Sequence, residues 1–201
     1  MFLQTNTNAQ SVTIGTQVWM TKNLDVTKFR NGDLIPEAKT DEEWKKAGEN
    51  KQPAWCYYKN NKKNGKKYGK LYNWYAVSDP RGLAPTGWHV PSDAEWTVLS
   101  DYLGGAAVAG KKMKSTRGWK DDIIEASGNG TNESRFSGLP GGLRYYNGYF
   151  NLIGSHGSWW SSTENLTDGA YVCNLYQRDR LGRDGNYGSK EKGLSVRCLK
   201  D

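Results

Sequence analysis

The chain has 201 residues, a mass of 22.6 kDa and a net charge of +7 from 28 basic and 21 acidic side chains. Nine Trp and twelve Tyr exclude a disordered chain, and no apolar run approaches the roughly 18 residues of a membrane helix. Three cysteines and two histidines are too little material for a disulfide-framed miniprotein or a Cys/His zinc site.

Residues 1–11 read as a flexible lead-in with no signal peptide, so an exported form would have lost its leader. Residues 12–201 read as one domain, because no linker, proline-rich stretch or repeat divides them. Val12, Ile14, Val18 and Trp19 flank Gly15-Thr16 and predict two short strands around a turn. Thr40 and Glu43 fit a capping box that opens a helix through about Gly48. Trp55, Cys56, Tyr57 and Tyr58 predict a strand ending in a turn region, Asn60–Gly65. Lys59, Lys62, Lys63, Lys66, Lys67 and Lys70 follow as a lysine patch, read as a solvated loop. Its lack of Arg argues against nucleic acid, and an anionic partner is the alternative.

Leu71, Trp74 and Tyr75 sit at helical spacing and predict one shared face. Ser92 and Glu95 form a second capping box, and Trp96, Leu99 and Leu103 carry the helix to Gly104-Gly105. A further helical stretch is predicted over 106–114. Beyond it lie glycine-rich loops and short apolar runs: 136–139, 143–146, 149–152, 158–161, 170–176 and 194–199. Asn147-Gly148 is the strongest hairpin signal among them. Helices early and an antiparallel sheet late make the class α+β.

Several stretches resemble, in order, the Fibrobacter succinogenes major paralogous domain. They are Val12–Leu24, Trp55-Cys-Tyr-Tyr58, Tyr68–Tyr75, Gly87–Trp96, Phe136–Gly142, Trp159-Trp-Ser-Ser162 and Val196-Arg-Cys198. The resemblance implies a C-type-lectin-like fold, with early short helices packed on a twisted antiparallel sheet and long glycine-rich loops. It also implies a secreted or cell-surface, lipoprotein-type setting. The wider group includes formylglycine-generating enzymes and hypervariable binding proteins. In the family, cysteines matching Cys56 and Cys198 are the usual disulfide pair, while Cys173 departs from the pattern. A Cys173–Cys198 bridge and no bridge at all are the alternatives, and any bridge would favour an extracellular or periplasmic home.

No catalytic set emerges. His89 reads as a structural hydrogen-bonding residue, and His156 as an exposed loop or surface residue. Asp121 and Asp122 are adjacent rather than opposed, the Gly65–Lys70 segment is not a phosphate loop, and Glu164-Asn165 lacks a lectin calcium signature. No metal or cofactor is expected. A recognition surface is left: Asn174, Tyr176, Arg178, Arg180, Arg183, Asn186 and Tyr187 mix the residue types of adaptable binding surfaces. Tyr145, Tyr146, Tyr149 and Trp160 are further candidate aromatic contacts, with core packing the competing reading for most of them. The expected activity is non-catalytic binding or adhesion toward a protein or glycan, with nucleic acid and membrane insertion not expected. A cysteine- and copper-dependent protein-modifying oxidoreductase and a passive structural module of a surface lipoprotein are the alternatives.

Overall fold

A computed structural model describes residues 10–121, 127–177, 181–183 and 188–201. The first strands are β1 (Ser11–Ile14) and β2 (Gln17–Met20), a hairpin turning at Gly15. Helix α1 (Asp41–Glu49) starts as its sequence dictates: Thr40 accepts from Glu43 N, and the Glu43 side chain accepts from the Thr40 backbone. Strand β3 (Trp55–Cys56) pairs with β4 (Leu71–Tyr72) across a 3-10 turn, Tyr58–Asn60, and helix α2 (Lys62–Tyr68). Helix α3 (Trp74–Val77), strand β5 (Trp88–His89) and helices α4 (Asp93–Tyr102) and α5 (Ala106–Met113) complete the first part. The second part holds β6 (Gly141–Arg144), β7 (Phe150–Ile153), β8 (His156–Leu166), β9 (Gly169–Tyr176), β10 (Leu181–Arg183) and β11 (Leu199–Lys200).

The class is α+β, but the strands form four small sheets in place of one: β1-β2-β11-β5, β10-β9-β8, β3-β4 and β6-β7. The C-terminal segment joins all four. Gly193 bridges Arg144, Leu194 bridges Tyr72, Ser195 bridges Trp159, and Leu199 pairs with both Trp19 and His89. Residues 194–199 therefore read as a strand in sequence, yet they spread their backbone bonds over several partners.

Period-two alternation in β8 and β9 makes this ribbon a wall between two cores. Trp160 and Val172 face one with Tyr72, Trp74 and Val196, while Trp159, Cys173 and Leu175 face another with Trp19, Trp96 and Phe136. A third cluster lies against α1, built on Trp44, Cys56, Tyr58 and Leu71.

Several expectations change. The disulfide is absent: no S–S bond joins Cys56, Cys173 and Cys198, all of which are buried. Each belongs to a different one of the three clusters, so the tertiary packing keeps the three sulfurs apart. Four of the six lysines of the patch, Lys62, Lys63, Lys66 and Lys67, stand on α2 rather than in a loop, and Lys59 lies in the 3-10 turn before it. Asn61 caps α2 by accepting from Lys63 N, and Lys66 and Lys67 stand in its last turn, where the helix dipole favours cations. Its sequence carries no apolar periodicity; it packs instead through Gly65, against which the Tyr57 ring lies, and through the buried Tyr68. Lys70 is buried rather than solvated; its ammonium bonds the Asp25 carboxylate and lies 4.6 Å from the Trp55 ring centroid. Leu71 belongs to β4, not to the helix of Trp74, because Asn73 caps α3 after it. Phe136–Leu139 is not a strand, since Arg135 and Ser137 take positive φ values of 59° and 57°.

Candidate functional site

The β8–β9 register decides which late residues share a surface. His156 stands opposite Tyr176, Ser158 opposite Asn174, and Trp160 opposite Val172, all on one face. Trp160 is fully buried, its Nε1 donating to Tyr72 O at 2.7 Å, and it takes no part in any outer surface. Toward the far end of the ribbon the same face opens into a cleft of about 250 Å³. Leu143, Val172 and Leu194 supply an apolar floor, and Tyr145, His156, Asn174, Tyr176 and Lys192 supply the polar and aromatic walls.

Local chemistry sets each wall. Tyr145 follows β6 directly and opens the Asn147-Gly148 turn: Tyr145 N donates to Tyr149 O at 2.8 Å, and Gly148 N donates to Tyr145 O at 2.9 Å. Gly148 has φ +91°, and a Cβ there would lie 2.5 Å from the Asp41 side chain, so the turn requires glycine. The Tyr176 ring rests against the backbone of Gly182, where a Cβ would come within 2.5 Å of ring carbon Cε2. It also meets the His156 ring edge-on, with centroids 5.0 Å apart and planes at 88°.

The site is electrostatically mild. Burial lowers the His156 pKa below 6.5, so the imidazole is neutral at neutral pH, and its Nδ1 lies 3.0 Å from Ser155 Oγ. Burial also lowers the Lys192 pKa from 10.5, and its ammonium stands 5.8 Å from the Tyr145 ring centroid. The cleft thus offers two phenol rings, a neutral imidazole, a carboxamide and one ammonium over apolar ground. Such a surface binds by stacking and hydrogen bonding.

Of the expected contact residues, Asn174, Tyr176 and Tyr145 converge here. Tyr146 and Tyr149 are exposed, at 54% and 63%, on the β6–β7 hairpin. Arg183 lies in β10 opposite Cys173. Arg178, Arg180, Asn186 and Tyr187 fall outside the described residues. Sequence reading put His156 in a loop and passed over Lys192. Strand alternation from His156 to Trp160 was the available signal for the first; nothing local marks the second.

The other titratable groups point elsewhere. His89 joins two carboxylates, with Nδ1 2.8 Å from Asp201 Oδ1 and Nε2 3.0 Å from Glu95 Oε1. Glu95 in turn caps α4, so the cluster ties a helix start to the end of the chain. Burial pushes the thiols of Cys56 and Cys198 up to about 12, which keeps them protonated and unreactive at neutral pH. Glu164 is engaged by the Lys190 ammonium. Among the described residues there is no group of three His, Cys, Asp or Glu side chains placed to hold a metal ion, and no helix long and apolar enough to cross a membrane.

The family model described as the Fibrobacter succinogenes major domain matches residues 12–200, and the chain belongs to that family. No curated protein and no solved structure matches it.

Proposed function

We propose that this member of the Fibrobacter succinogenes major domain family is a non-catalytic binding domain of C-type-lectin-like architecture. Its ligand is a glycan or a projecting element of a surface protein, received in the cleft between Tyr145 and Tyr176. The observation that carries this reading is the convergence of Tyr145, Asn174, Tyr176, His156 and Lys192, drawn from separate stretches of chain, on one apolar floor. At about 250 Å³ the cleft lies just below the ~300–1,000 Å³ of small-molecule sites. A single saccharide unit or one side chain of a partner fits that scale. The exposed Tyr146 and Tyr149 extend the aromatic surface on the β6–β7 hairpin.

The proposed home is extracellular or at the bacterial cell surface, as family membership suggests; no disulfide adds an argument for that compartment. An oxidoreductase acting through a cysteine pair needs thiols that substrate can reach, and Cys56, Cys173 and Cys198 are buried in separate clusters. The test is a screen of glycans and surface proteins, followed by titration of the best binder against Tyr176→Ala and Asn174→Ala. Both variants should lose most of the affinity. Full affinity in both would place the binding surface elsewhere.

A further inference from the structure

On another face, the chain after β2, the end of α2 and the segment after α5 enclose a larger cavity of about 570 Å³. Its charge is one-sided. Lys22, Lys66, Lys67 and Arg117 line it from exposed positions, and among the described residues none of the four forms an ion pair. The Lys67 ammonium lies 3.8 Å from where a Cβ on Gly118 would stand, so α2 and the Arg117 segment meet at the mouth. Asp25 is the one carboxylate in the lining, and it is already held by Lys70.

Arg197 lines the same cavity and is fully buried. Its guanidinium donates to Asn23 Oδ1 from Nε and Nη2, and to Met20 O and Phe136 O from Nη1, at 2.7–3.1 Å. All of these acceptors are neutral, so the structure contains a desolvated cation with no carboxylate partner among the described residues. Burial lowers its pKa to about 9, which still leaves it charged at neutral pH. Five cations around one hollow with a single engaged acid make a strong positive potential, focused by the enclosing walls.

We propose that this cavity binds a saccharide carrying a sulfate or phosphate ester. The ester oxyanion sits among Lys66, Lys67 and Arg117, and the sugar hydroxyls meet Thr116, Asn132 and Ser137. The volume falls within the range of small-ligand sites. Leu139 is the one large apolar side chain in the lining, and no aromatic ring is present there. Single-stranded nucleic acid depends on aromatic platforms for its bases, which disfavours it as the occupant.

Calorimetric titration of the whole chain with a sulfated disaccharide, its unsulfated counterpart, inorganic sulfate, inorganic phosphate and oligouridylate tests this. The sulfated sugar should bind, the unsulfated one about tenfold or more weakly, and affinity should fall as salt rises. Lys67→Glu and Arg117→Glu should each weaken binding by about tenfold or more, with the fold retained because both side chains are exposed. Lys67→Glu should show only a small fall in melting temperature, from the loss of a favourable charge at the end of α2. Lys59→Glu, outside the cavity, should leave binding intact. Equal binding of the unsulfated sugar, unchanged affinity in both charge-reversal variants, inorganic anions binding as tightly as the sulfated sugar, or oligouridylate binding more tightly would each overturn the proposal. Tyr176→Ala should not alter this titration, which separates it from the cleft.

Discussion

His156 and Tyr176 face each other across the β8–β9 ribbon as a registered cross-strand pair, their rings edge-to-face with centroids 5.0 Å apart. Such pairs contribute about 0.5–1.5 kcal/mol beyond area burial. A double-mutant cycle of His156→Ala and Tyr176→Ala, read by urea unfolding, should return a coupling energy in that range. Strict additivity of the two single variants would show that the rings do not interact.

The two histidines should give opposite pH dependences. Burial depresses the His156 pKa below 6.5. Its contribution is therefore complete above the unfolded value and is lost as pH falls through 6.5 toward the folded value. For His89, partial burial works against protonation, but hydrogen bonds to Asp201 and Glu95 outweigh it and hold its pKa above 6.5. Its contribution is complete below 6.5 and is lost as pH rises through the folded value. NMR titration of the ring protons should show one midpoint on each side of 6.5; two midpoints on the same side would contradict the arrangement.

Gly182 permits the resting place of Tyr176. A Cβ there would come within 2.5–2.9 Å of the outer ring atoms, which can swing away. Gly182→Ala should therefore cost only about 1 kcal/mol of stability, while weakening ligand binding at the cleft nearly as much as Tyr176→Ala. Unaltered affinity would mean that the position of the Tyr176 ring is not part of recognition.

Arg144 is a fully buried junction. Its guanidinium donates to Gly148 O, Ala38 O and Thr40 O, each at 2.8 Å, and to Asp41 Oδ1 at 3.0 Å. It locks the start of α1 onto the β6–β7 hairpin. Arg144→Ala should lose about 3–5 kcal/mol in denaturant unfolding, because several buried carbonyls lose their donor together. Asp41→Asn should lose less than about 1 kcal/mol, since that side chain is largely exposed. Comparable losses in the two variants would show that the ion pair, rather than the buried carbonyls, sets the strength of the junction.

With no disulfide among Cys56, Cys173 and Cys198, stability should be insensitive to redox conditions. Reductant should leave the melting temperature unchanged. A thiol reagent should label none of the cysteines in the native state and all three after unfolding without reductant. A labelling count of one after such unfolding would restore a disulfide.

What the amino-acid order determined alone is local. Thr40 with Glu43 and Ser92 with Glu95 announce two helix starts, and Asn147-Gly148 announces a hairpin, because each acts on backbone groups within three or four residues. The runs 149–152, 158–161 and 170–176 were legible as strands from their apolar and aromatic content, whereas 136–139 turned out not to be one. Tertiary structure alone decided that Lys70, Arg144 and Arg197 lie inside, that α2 forms from a lysine-rich run, and that three cysteines enter three cores. It also set the cleft, since Tyr145, Asn174 and Lys192 meet only through the β8–β9 register and the stitching of residues 193–199. Pairing and burial are collective outcomes: a side chain's surroundings depend on which distant strand lies opposite, and no short window of sequence holds that information.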